Sequence, residues 1–226
     1  MIFNIYKETG WTSFDVVAKL RGILATRKIG HAGTLDPLAE GVLVILTEKD
    51  TKRQDELMGH EKEYLADVAF GAVSPTYDME GPISFNETSI TKGELEFHLK
   101  ELLGKYIGEY KQTVPAFSAT KVKGKRLYKE ARAGTIKLED LPKKEVNVSE
   151  ILIESIFEEK INETPLFVVR LKITCGKGFY VRSLANDLGE DLGVGAVLIK
   201  LVRTRVGDFT LEDSKKISEI KPMQVD

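Results

Sequence analysis

Cysteine and histidine are scarce in this sequence. One cysteine, Cys175, excludes an internal disulfide, and three scattered histidines, His31, His60 and His98, offer no metal-ligand spacing, so no metal site is expected; separately, no cofactor is expected. No apolar run approaches the ~20 residues that cross a bilayer. The opening apolar residues are broken by Asn4 and Lys7, which is unlike a signal segment, and a cytoplasmic chain with no membrane partner is expected. An excess of one charge sign is also missing: 33 Lys and Arg face 35 Asp and Glu, a net charge of -2. That balance argues against indiscriminate coating of nucleic acid, which requires neutralising many phosphates, and leaves room only for local contact. Two basic stretches could supply it, residues 21–31 with Arg27 and Lys28, and residues 121–132 with Lys121, Lys123, Lys125, Arg126, Lys129 and Arg132. Charge runs of this kind are more often solvated faces. No GxxxxGK[ST] phosphate loop, nucleotide fingerprint or GxSxG elbow occurs, and the GKG at 176–178 is too short a signal.

What is present suffices for a full core: 226 residues, 42% of them hydrophobic. Residues 1–6 read as a strand, and Thr12 or Ser13 caps a helix with Val16, Val17, Leu20, Ile23 and Leu24 on one face. Residues 41–46 form a buried apolar run, and alternation over 64–70 marks a strand ended by Gly71 and a turn. Thr91 with Glu94 is a capping box before Leu95, Leu99, Leu102 and Leu103. Residues 114–134 are basic and start without apolar periodicity, predicting a loop that leads into a short helix at 128–131. Strands are expected at 146–157, 167–175 and 196–206, and a helix at 180–192. With no linker, repeat or low-complexity segment, residues 1–226 read as one domain of α+β class, with a mixed, largely antiparallel central sheet and flanking helices.

The helix over 180–192 carries its charges against the helix dipole. Lys177 and Arg182 stand at its start, and Asp187, Glu190 and Asp191 at its end. Local violations of this kind are expected where function overrides stability, so an anion is expected to face Arg182; the plainer reading is a screened surface arginine. Residues 30–43 read GHAGTLDPLAEGVL. Gly30 and Gly33 permit unusual backbone, and Asp36 before Pro37 reads as an N-cap with proline in the first helical position, which explains the pair structurally.

The segment KIGHAGTLDPLAEGVL at 28–43 resembles the signature of the pseudouridine synthases related to bacterial tRNA pseudouridine synthase B. Four further segments resemble the same family in the same order: GWTSFDVV at 10–17, KEYLADVAFG at 62–71, VPAFSATKVKGKRLYKEARAG at 114–134 and GKGFYVRSLANDLGEDLG at 176–193. The resemblance implies the pseudouridine synthase fold and an isomerase that converts uridine to pseudouridine at position 55 in the T loop of tRNA, extruding the base to reach its glycosidic bond. It makes Asp36 the catalytic carboxylate, which either adds to the sugar or removes its 2′ hydrogen; each route needs an ionised oxygen. Arg182 matches the arginine that pairs with this aspartate, so two independent arguments meet on it. Tyr64 matches the tyrosine that stacks on the target base, worth roughly 1–3 kcal/mol per base. Tyr180 and Leu201 match the pocket wall, and His31 a histidine beside the flipped nucleotide. Their plainer readings are core packing, or for His31 a hydrogen-bonded structural role. Lys121 and Lys125 fall in the family's RNA-clasping insertion at 114–134.

Asp78 lies in a turn where Pro75 replaces a usual aspartate, so an ordinary turn role competes there. Bacterial members continue into a small C-terminal RNA-binding domain, which is expected to be absent here. The basic segment resembles the stand-alone type rather than the branch that uses guide RNA, and a monomer acting on the tRNA T arm is implied. A protein that only folds RNA is the rival reading, set against by the joint presence of Asp36, Tyr64 and Arg182.

Overall fold

The computed structural model describes residues 1–122 and 124–222. In chain order the elements begin with β1 (Ile2–Lys7), α1 (Ser13–Ile23), β2 (Ile29–His31), β3 (Glu40–Thr47), α2 (Gln54–Gly59) and β4 (Lys62–Phe70). They continue with β5 (Ala72–Val73), β6 (Ser84–Phe85), α3 (Lys92–Leu102), β7 (Gly108–Thr113), β8 (Lys121–Val122), β9 (Lys125–Arg126) and α4 (Leu127–Arg132). The last are β10 (Lys143–Ile161), β11 (Thr164–Cys175), α5 (Val181–Asp191), β12 (Ala196–Val206) and β13 (Phe209–Thr210). The class is α+β, with largely antiparallel sheet and flanking helices. Internal packing nevertheless divides the chain, read from sequence as one domain, into two compact units: residues 1–65 with 200–226, and residues 66–199. The boundaries fall inside β4 and β12 rather than in a linker, which is why composition gives no sign of them.

In the first unit β3 pairs antiparallel with β1 and β2 and, through Val202–Glu40 and Arg203–Gly41, parallel with β12. Its run of apolar residues is continuous because both faces are buried. Leu43 and Ile45 pack with Val16, Val17 and Leu20 of α1, whereas Val42, Val44 and Leu46 pack with Leu57 of α2. Thr12 is the N-cap of α1 and forms a capping box with Asp15, which leaves Ser13 free for another task.

The second unit is organised by the β10–β11 hairpin, flanked by β7 on one side and β4 on the other. Both hairpin strands outrun the sequence expectation because Asn162 and Glu163, at φ of 46° and 68°, close a tight turn whose left-handed backbone matches strand twist. Buried Asp67 on β4 is tolerated because Arg170 of β11 grips it with two bonds of 2.7 Å. The capping box Thr91–Glu94 starts α3 as its spacing predicts. The 114–134 segment is more ordered than its polarity suggests, since Leu127 of α4 packs with Val114, Ala116 and Leu141. Lys123, part of its basic run, lies outside the described residues. Among the described residues no helix is long and apolar enough to cross a membrane.

Candidate functional site

Asp36 sits in the loop joining β2 to β3, and no helix follows it. The N-cap expected from Asp-Pro is therefore corrected: Pro37 and Leu38 form a turn in which the Ala39 amide donates to the Asp36 carbonyl at 3.1 Å. The glycine expectation also shifts. Gly30 is ordinary strand, whereas Gly33 and Gly41 have φ of 105° and 106°, and a Cβ on Gly41 would meet the Arg203 carbonyl oxygen at 2.3 Å. Only glycine fits there.

The backbone on both sides of Asp36 is tied down. The Ser13 hydroxyl accepts from the Leu35 amide at 2.8 Å and donates to the Leu35 carbonyl at 3.1 Å. The Pro37 carbonyl accepts from the Gly10 amide at 2.8 Å and from Lys7 Nζ at 3.5 Å. Lys7 is wholly buried and also donates to Trp11 O at 2.6 Å and Glu8 O at 3.1 Å. Arg203, 1% exposed, donates to the carbonyls of Val42 (2.8 Å), Gly33 (3.2 Å) and Thr34 (3.3 Å). Hydrogen bonds from a charged donor contribute roughly 1.5–3 kcal/mol each, and a buried cation persists only when so satisfied. His31, half-buried on β2, is pushed below its ordinary imidazole value by burial first and the Arg203 charge second. Tyr64 is half-buried on β4, beside Glu63, which accepts from the Thr204 hydroxyl at 2.7 Å. Leu201 is buried on the same face of β12 as Arg203, two residues away.

In the second unit Arg182 is buried, which removes the screened-surface reading, and an anion does face it: Asp78 Oδ2 lies 3.9 Å from its Nη1. Its guanidinium also donates to Phe117 O at 3.1 Å and Thr76 O at 3.4 Å. Asp78 is both turn residue and ion partner, accepting from the Thr76 hydroxyl at 2.6 Å and the Glu80 amide at 3.0 Å. Tyr180 is the N-cap residue of α5. Gln112 holds its amide and carbonyl at 2.8 and 3.0 Å, and its hydroxyl is 3.0 Å from Thr120 Oγ1, so it is more than packing. Lys121 and Lys125 stand exposed on the β8–β9 hairpin, Lys125 3.6 Å from Glu130. The misplaced acids at the end of α5 have their own consequence: burial first, then Glu190 and Asp191, push Asp187 up to about 6.

Thus His31, Asp36, Tyr64 and Leu201 belong to the first unit, and Asp78, Lys121, Lys125, Tyr180 and Arg182 to the second. Sequence reasoning missed Lys7, Ser13 and Arg203. The signal for Arg203 was available, since it shares strand parity with Leu201 and so falls on a buried face; Lys7 and Ser13 carried none beyond their place in the GWTS neighbourhood.

Residues 21–181 match the TruB family pseudouridylate synthase (N terminal domain), and residues 182–225 the tRNA pseudouridylate synthase B C-terminal domain. The fold and the aspartate loop thereby fall in the pseudouridine synthase class. The chain belongs to the TruB family. It is 40% identical over 224 residues to the tRNA pseudouridine synthase B of Lactococcus lactis subsp. cremoris (strain MG1363), covering 99% of this chain and 66% of that one. It is 42% identical over 220 residues to that of Bacteroides thetaiotaomicron, covering 94% of this chain and 87% of that one. The chain thus spans just under two thirds of the Lactococcus relative's length. Among solved structures, a chain in an H/ACA RNP bound to a substrate RNA containing 2′-deoxyuridine matches 96% of this chain and 51% of its own length, at TM-score 0.67 and 25% identity.

Proposed function

We propose that the protein is a tRNA pseudouridine synthase that isomerises uridine 55 in the T loop, acting in the cytoplasm as a monomer without guide RNA. The observation that carries this reading is the Asp36 loop: it lies inside the matched TruB segment, and Asp36 does not serve as a helix cap there. The site operates as follows. The uridine is flipped out of its loop at a cost of a few kcal/mol, offset in part by stacking on Tyr64. Asp36, ionised, assists cleavage of the bond between uracil N1 and the ribose. The uracil turns, a bond forms from its C5 to the same sugar carbon, and the proton displaced from C5 leaves for a base while N1 takes one up. No electrons are exchanged, so no redox partner is required.

By the family resemblance, Arg182 takes the role of partner to the catalytic carboxylate, and Tyr180, Leu201, Asp78 and His31 the role of base-binding residues. Lys121 and Lys125 hold phosphates on the basic hairpin. The test of the roles is a double-mutant cycle between Asp36→Asn and Arg182→Met on the rate of tritium release from tRNA labelled at uridine C5. Losses that do not add mean the two side chains act as a unit; simple additivity removes the assigned pairing.

A further inference from the structure

We infer that Arg203 is a positioning residue for the Asp36 loop, a role that rests on the reading of Asp36 as the catalytic carboxylate. Ser13 and Lys7 each hold the loop beside Asp36, and the Arg203 side chain ties both of its ends. Two of its nitrogens take the carbonyls of Gly33 and Thr34, where the chain leaves β2, and its Nε takes Val42 O, where the chain has entered β3. Its backbone pairs with Gly41, and Gly41 can approach so closely only because it lacks a Cβ. The span from Gly33 to Val42 is therefore closed by one side chain and its own peptide.

Only a guanidinium does this. Its planar fork places several donors in fixed directions, matching carbonyls of residues far apart in sequence, while an ammonium on a flexible stem cannot reach the same set. The residue is wholly inside the protein, on the strand that also carries Leu201, so its rotamer is set by packing and the loop inherits that order. Catalysis depends on such order because small misplacement of a reacting group is costly in rate. Arg203 touches no reacting atom; it acts through the backbone that presents Asp36.

The experiment compares the full chain with Arg203→Lys, which keeps the charge and loses the fork. Three quantities are measured: affinity for tRNA, tritium release at saturating tRNA labelled at uridine C5, and amide hydrogen exchange at Leu35 and Ala39. The expected result is affinity within about threefold, a saturating rate lower by roughly 10²-fold, and faster exchange at those two amides but not in the β10–β11 hairpin. Unchanged exchange at Leu35 and Ala39 overturns the inference whatever the rate, and so does faster exchange with an unchanged saturating rate or a loss confined to KM. Should the lysine variant not fold, Arg203→Gln supplies the same comparison. Wild type that releases no tritium defeats the pseudouridine reading instead, and the exchange data still decide whether Arg203 orders the loop.

Discussion

Arg182 and Asp78 form a buried pair, with side chains 5% and 1% exposed, in the second unit. Removing one partner takes a counter-charge from the other in a poorly hydrated interior. Arg182→Met is therefore expected to cost about 3–5 kcal/mol of unfolding free energy, and adding Asp78→Asn is expected to recover part of it. Urea titration of the single and double variants checks this. His31 is expected to titrate below its ordinary value of 6.5, as ring-proton NMR would read, and to titrate higher once Arg203 is replaced by Gln, since the Arg203 charge contributes to the depression. At this scale the sequence was informative where it broke a rule. The arginine placed against a helix dipole declared that an anion was near. Asp36, by contrast, satisfied a rule, and spacing alone misread it as a cap; resemblance, not periodicity, singled it out. Arg203 went unread because a long strand segment with the right propensity hides one inward charge.

Among the elements, those with strong local chemistry were legible. The Thr91–Glu94 box starts α3 where expected, and Thr91→Ala is expected to lower stability by about 1 kcal/mol in a denaturant titration. The two strands of the β10–β11 hairpin were seen but shortened, because a polar turn at Asn162 and Glu163 gives no apolar periodicity to extend them. The basic segment looked irregular since its order comes from Leu127 docking on distant residues, a tertiary effect. The α5 charges have a pH signature. Asp187 has an ordinary value of 3.8 and is held at about 6 in the folded state. The folded protein thus keeps a proton that the unfolded chain releases, and stability falls as pH rises between those two values. Asp187→Asn is expected to raise the melting temperature at pH 7 and to leave it unchanged below pH about 4, where both states are protonated. Equal melting temperatures at pH 7 would contradict this.

For the whole molecule, a net charge of -2 means that the proposed RNA substrate would be held by local basic groups. Replacing both Lys121 and Lys125 by Ala is expected to weaken tRNA binding and to reduce the slope of log affinity against log salt by about 2, one for each phosphate no longer neutralised. Division into two units was not legible at all, because the chain passes between them within β4 and β12, where the sequence pattern is continuous strand. The central claim is that this chain makes pseudouridine through Asp36. The most direct measurement is tritium release from tRNA labelled at uridine C5, with no cofactor or guide RNA added, for the wild type and for Asp36→Asn. The account predicts release by the wild type and background release by the variant, with tRNA bound by both. Absence of release from a wild type that binds tRNA, or undiminished release from Asp36→Asn, would contradict it.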